Sequence, residues 1–206
     1  MSSITSLTLE STDPPATAAV CDALGVSERI GVRAGGAPSQ GFRGYSISLV
    51  TAQPGNVDAL VSAAVDAGAR VLKPAEKSFW GYGAILESPD GAIWKFASSA
   101  KKDTGPAAPA FDEIVLLLGV ADVKASKRSY VEHGFEATRS FGGKYAEFGS
   151  ASGGITLALY PRKSAAKEVG RSPEGSGSHR LAIGTDADPF TDADGYEWEA
   201  VPQRVA

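Results

Sequence analysis

An internal repeat constrains this chain more than any other feature. Asp90-Gly91-Ala92-Ile93-Trp94-Lys95-Phe96 matches Asp194-Gly195-Tyr196-Glu197-Trp198-Glu199-Ala200: an Asp-Gly turn leads into a strand, with the tryptophan at the same offset. Setting Asp13 on Asp122 places Gly25 on Gly134, Leu7 on Leu116 and Leu9 on Leu118. Setting Tyr45 on His179 aligns Tyr45–Leu49 with the segment ending at Ile183. The chain therefore reads as two similar halves, 1–99 and 111–206, joined by a linker at 100–110 that carries Pro106 and Pro109 and no apolar periodicity.

Within the halves, strand–helix–strand recurs three times. Ile4–Leu9 and Tyr45–Leu49 alternate like half-buried strands, and Ile114–Leu118 is a continuous apolar run of strand length. Helices follow each, with Asp13, Asn56 and Asp122 as predicted N-caps and Gly25, Gly68 and Gly134 as stops. Further strands are predicted at 29–32, 69–72, 81–86, 93–96, 135–138, 145–148 and 155–160. Residues 162–178, rich in Ser, Gly, Lys and Glu, read as a long loop that covers a site or is disordered. The last unit is short: Tyr45 to Lys95 spans 50 positions, whereas the matching His179 to Glu199 spans 20, too few for a crossover helix.

Composition narrows the function classes. The 206 residues are 43% apolar and 21% charged, with net charge -4 and basic residues scattered rather than clustered, which argues against nucleic acid. Cys21 is the single cysteine, so an internal disulfide and a thiolate metal cluster are excluded; it reads as a buried small apolar residue. No signal sequence or membrane-spanning run is read, and the cytoplasm is the expected compartment. No phosphate-binding glycine loop, dinucleotide fingerprint or Ser-His-Asp elbow occurs. His133, before Gly134, suits a helix C-terminus.

The run Ala67-Gly68-Ala69-Arg70-Val71, then Trp80-Gly81-Tyr82-Gly83, then Ser88-Pro89-Asp90-Gly91-Ala92-Ile93-Trp94 resembles the closing pattern of the glyoxalase/bleomycin resistance/dioxygenase (vicinal oxygen chelate) superfamily. Thr156-Leu157-Ala158-Leu159-Tyr160-Pro161 is similar to it as well. The resemblance implies an α+β fold of repeated βαβββ modules, with curled mixed sheets, helices on the outside, and a truncated last module. It implies a half-open cup that binds a small organic molecule. In catalytic members the cup holds one divalent ion (Zn, Ni, Mn or Fe), bound by His and Glu from first and last strands of the modules. Carried over, the N-terminal half offers Ile4, Tyr45 and Lys95, which is no metal set. The C-terminal half offers Glu113, His179 and Glu199, which is chemically competent. Phe79, Trp80 and Tyr82 put three aromatics in four residues, too many for one face of a strand; with Tyr45 they are the candidate ligand-binding residues.

Two functions stay open on these residues. One is metal-free binding of a small molecule. The other is a metal-dependent lyase or dioxygenase using Glu113, His179 and Glu199. The partner in either case is a small-molecule ligand or substrate, not nucleic acid or membrane, with a homodimer as the assembly that could supply missing pieces. The pattern leaves open whether the cup forms within each half or between the two complete central modules.

Overall fold

A computed structural model describes residues 1–79, 81–150 and 154–200. Four units follow one another. The first is β1 (Ile4–Ser11), α1 (Pro14–Ala23) and β2 (Ile30–Ala34), followed by a short β3 (Ser39–Gly41). The second is complete: β4 (Tyr45–Val50), α2 (Pro54–Asp66), β5 (Arg70–Ser78), β6 (Gly81–Glu87) and β7 (Ile93–Ser98). So is the third: β8 (Glu113–Val120), α3 (Val123–Glu132), β9 (Ala137–Ser140), β10 (Ala146–Phe148) and β11 (Ile155–Pro161). Then come α4 (Arg162–Glu168), β12 (Gly175–Gly177) and a fourth unit of strands alone, β13 (Leu181–Thr185), β14 (Phe190–Thr191) and β15 (Glu197–Ala200). The chain is α+β, as the sequence pattern predicts.

Strand pairing runs between like units. β4 pairs antiparallel with β8, Tyr45 opposite Leu118 and Val50 opposite Glu113. The two central units thereby share one continuous sheet, β5-β6-β7-β4-β8-β11, extended by β10 and β9. The outer units repeat the arrangement: β1 pairs antiparallel with β13, flanked by β2 and by β15 and β14. The two systems touch at a single pair, Ile4 opposite Ile155. So the central sheet forms between the central units.

The repeat seen in the sequence occupies equivalent places. Trp94 on β7 lies opposite Ile47 of β4, and Trp198 on β15 lies opposite Ile183 of β13, both pairs parallel. Both indoles are buried. The preceding turns need glycine, since Gly91 and Gly195 have φ of 90° and 86°, where a Cβ is strained.

Local chemistry explains the helices. The Asp13 carboxylate accepts from Ala16 N–H and the Asp122 carboxylate from Lys124 and Ala125 N–H, so both caps form as the sequence predicts. α2 differs. It starts at Pro54, whose fixed φ and missing donor suit the first turn, with Gln53 as its cap residue. Asn56 lies inside the helix, and its side-chain oxygen accepts from Gln53 Nε2 and Ala108 N–H, tying down the linker. The largest core lies between the helices and one face of the sheets. Ile114, Leu116, Leu118 and Val120 of β8 point there, while Val115 and Leu117 point to the opposite face, where a second cluster forms. Burial on both faces is why β8 reads as an unbroken apolar run. No helix among the described residues is long and apolar enough to cross a membrane.

Candidate functional site

The concave face of the central sheet is not empty. Residues 162–178, expected to be a loop, form α4 and β12 instead. Ala165, Ala166 and Val169 are buried against Phe42, Ile85, Ile93, Leu117 and Ala158. The close approach depends on Gly119, where a Cβ would sit 3.1 Å from Ala165 Cβ and 3.2 Å from Arg162 Cα. Polar ties hold the segment down. Lys95 Nζ lies 2.5 Å from Glu168 Oε1, and Lys73 Nζ donates to the Glu168 carbonyl at 2.7 Å. Arg171 donates to Glu87 at 2.5 Å, and Arg162 donates to the carbonyls of Phe42 and Pro173. The chain thus fills the floor of its own cup.

At the mouth a cavity of about 370 Å³ remains between the β3–β4 segment, the β6–β7 turn and the strap that follows α4. Arg43, Tyr45, Glu87, Ile93, Arg171 and Glu174 line it. Arg43 is fixed by the turn: it donates to the Asp90 carbonyl and lies 3.4 Å from Asp90 Oδ2, above Gly91. Asp90 is buried, and its carboxylate also accepts from Ser88 Oγ and Ala92 N–H. Glu87 is shared by Arg70 and Arg171. Tyr45 is 1% exposed, and its hydroxyl makes no well-formed hydrogen bond among the described residues, although the Arg43 guanidinium is near enough to act on it. Burial raises its pKa, the nearby Asp90 adds to that, and the Arg43 guanidinium opposes it. A buried tyrosine hydroxyl normally finds a partner. Of the residues proposed from sequence to bind ligand, Tyr45 is thus at a cavity. Phe79 is 83% exposed and Tyr82, on β6, donates to Asp58 of α2; neither lines this cavity. Trp80 lies outside the described residues.

Glu113, His179 and Glu199 are not brought together. Glu113, at the start of β8, accepts from Thr156 Oγ1 at 2.5 Å. His179 stacks on Tyr196 at 4.0 Å, and its ring nitrogens face the carbonyls of Arg43 at 2.5 Å and Asp194 at 3.0 Å. Glu199 is held by Arg33 Nη1 at 2.8 Å, and the same guanidinium holds Glu10 at 2.6 Å. These bonds, to Glu10 first and then Glu199, raise the Arg33 pKa further. Sequence alignment of the halves gives equivalent positions, but Glu113 belongs to the central strand system and Glu199 to the outer one. Among the described residues no three His, Cys, Asp or Glu side chains are grouped to hold an ion. The residues present do not fit the divalent metal of the fold's catalytic members. In the N-terminal half Ile4 is core and Lys95 is engaged by Glu168.

Sequence reasoning missed Arg43, Glu87, Glu168 and Arg171. The Glu168 and Arg171 segment offers no apolar period, and only the fold places it over the sheet.

Solved structures with this architecture exist at low sequence identity. The chain is similar to glyoxalase I from Zea mays, with a TM-score of 0.61 and 14% identity over 96% of this chain and 91% of that one. Two mutants of the same enzyme give TM-scores of 0.61 and 0.60 at 14% and 13% identity, covering 98% and 96% of this chain and 92% of each of theirs. The likeness is one of fold. No family model matches the sequence, and no curated protein matches it.

Proposed function

We propose that this protein binds a small polar organic molecule in the cavity at the mouth of its central cup, without a metal. A shared fold does not assign a function, so the reading rests on the site. One observation carries it: a cavity of about 370 Å³, a volume that suits a small ligand, whose wall gathers Arg43, Glu87, Arg171 and Glu174 beside the buried Tyr45. A ligand atom that reached the Tyr45 hydroxyl would give that buried group a partner besides Arg43. The other lining groups balance in charge, with Arg43 and Arg171 against Glu87 and Glu174. That favours a neutral or zwitterionic ligand over a strong anion. Phe42 and Ile93 supply apolar wall. The lyase or dioxygenase reading has no comparable support, because Glu113, His179 and Glu199 each serve a separate contact.

Ligand-observed NMR with glycine, β-alanine, acetamide and urea tests the proposal. At least one of these saturates the protein at millimolar concentration or below, a chelator leaves its binding unchanged, and Tyr45→Phe weakens it at least fivefold. Absence of binding by all four, or binding indifferent to Tyr45→Phe, refutes the assignment.

A further inference from the structure

The groove between the β9–β10 hairpin and α4 holds a second constellation that shares no lining residue with the Tyr45 cavity. It encloses about 490 Å³, lined by Arg139, Phe141, Lys144, Tyr145, Tyr160 and Ser164. The hairpin tip is a closed backbone turn: Phe141 N–H donates to the Tyr145 carbonyl at 2.9 Å, and Lys144 N–H donates to the Phe141 carbonyl at 3.1 Å. Gly142, at φ 60°, permits that turn. The turn presents Phe141 to solvent, 66% exposed.

Three rings run from this tip to the sheet. Phe141 and Tyr145 have centroids 6.1 Å apart, and Tyr145 and Tyr160 have centroids 5.4 Å apart, edge to face. Tyr145 and Tyr160 pack against the cluster beneath α4, so the inner rings are fixed while the outer one is open. A single exposed phenylalanine needs no explanation. A ladder of rings flanked by an unpaired lysine and a loosely paired arginine is different. The nearest carboxylate to Arg139 is Glu147, at 3.7 Å, and Glu147 also accepts from the Tyr145 hydroxyl. Lys144 forms no ion pair among the described residues. Glu147 and Glu168 lie near Tyr145 and Tyr160, so Lys144 is the cation of the groove with no carboxylate paired to it among the described residues.

We infer that this groove is a binding site for a planar aromatic anion. The ring system stacks on Phe141 and Tyr145, and its acidic group sits between Arg139 and Lys144. Each component is needed. Rings supply sequence-tolerant stacking on a π-face, and flanking cations supply charge attraction that salt screens.

Flavin mononucleotide, planar, anionic and fluorescent, is the probe. Titrated into the full chain at low salt, its emission is quenched with a dissociation constant in the micromolar range. Riboflavin, the same ring without charge, binds at least tenfold more weakly, and inorganic phosphate at 1 mM does not compete. Phe141→Ala and Lys144→Glu each weaken binding about tenfold, as loss of a stacking or charge contact does. Both side chains are exposed, so melting temperatures stay within about 2 °C of the wild type. No quenching at 1 mM flavin mononucleotide, equal affinity for riboflavin, or unchanged binding by either variant overturns the proposal.

Discussion

Tyr45→Phe is the perturbation that separates a binding site from ordinary core. The hydroxyl is buried on a residue that is 1% exposed and makes no well-formed hydrogen bond among the described residues. Leaving such a group unsatisfied costs about 1–3 kcal/mol. The phenyl ring that remains keeps its place among Ile47, Trp94 and Leu118 in the core, so no cavity term arises. The substitution therefore raises stability in the absence of ligand by about 1–2 kcal/mol. For a chain of this length that is roughly a 2–8 °C rise in melting temperature. Urea unfolding followed by far-UV circular dichroism measures it, with an unchanged slope and a higher midpoint. The same substitution weakens ligand binding, and gain of stability with loss of binding is the mark of a group retained for function. A drop in stability of 1 kcal/mol or more refutes the reasoning, since it means that the hydroxyl is already satisfied in the free protein.

Three further outcomes follow from the same structure. Lys95→Met and Glu168→Leu each cost about 2 kcal/mol in urea unfolding, discounted for the partial exposure of Glu168, while the double variant recovers to within about 1 kcal/mol, because an unpaired charge is what costs. Burial first, then Asp90 and Asp22, pushes the Cys21 thiol up from 9.0 to about 12. The unfolded chain then releases that proton first, so stability is full below pH 9 and falls as pH rises toward 12, by up to about 1.4 kcal/mol per pH unit; Cys21→Ala flattens this part of the profile, and the native thiol stays unreactive to Ellman's reagent at pH 8. Calorimetry with Zn, Ni, Mn and Fe(II) gives no micromolar binding that His179→Ala abolishes; such binding would contradict the separation of Glu113, His179 and Glu199.

The parts legible in the sequence were those fixed by local chemistry or by repetition. Asp13 and Asp122 announce helix starts because a short carboxylate can reach the free N–H groups of the first turn. Gly25, Gly68 and Gly134 announce the ends because each adopts positive φ. Trp94 and Trp198 announce equivalent strands. Asn56 misled because Pro54 competes for the same start and begins the helix earlier. α4 was illegible for a different reason. Arg162-Lys163-Ser164-Ala165-Ala166-Lys167-Glu168 buries only two alanines, and such a helix has no apolar stripe for a period to reveal. Its place depends on Gly119 and Lys95, which are distant in sequence. Alignment of the halves is silent on which halves pair. β4 with β8 and β1 with β13 send Glu113 and Glu199 to different strand systems of the sheet, with β11, β1 and β13 between their strands.

The two sheet systems nonetheless solve one electrostatic problem alike. In the outer sheet Glu10 and Glu199 converge on the Arg33 guanidinium, and in the central cup Glu168 converges on the Lys95 ammonium. In both places a side-chain cation supplies the charge that carboxylates near a cup require. The cavity beside Tyr45 keeps its shape because α4 and its strap cover the sheet face next to it and supply Arg171 and Glu174 opposite Arg43 and Glu87. The segment that fills the cup is therefore also the wall that gives the cavity its shape, and loosening α4 through Lys95 or Glu168 should weaken ligand binding in step with stability.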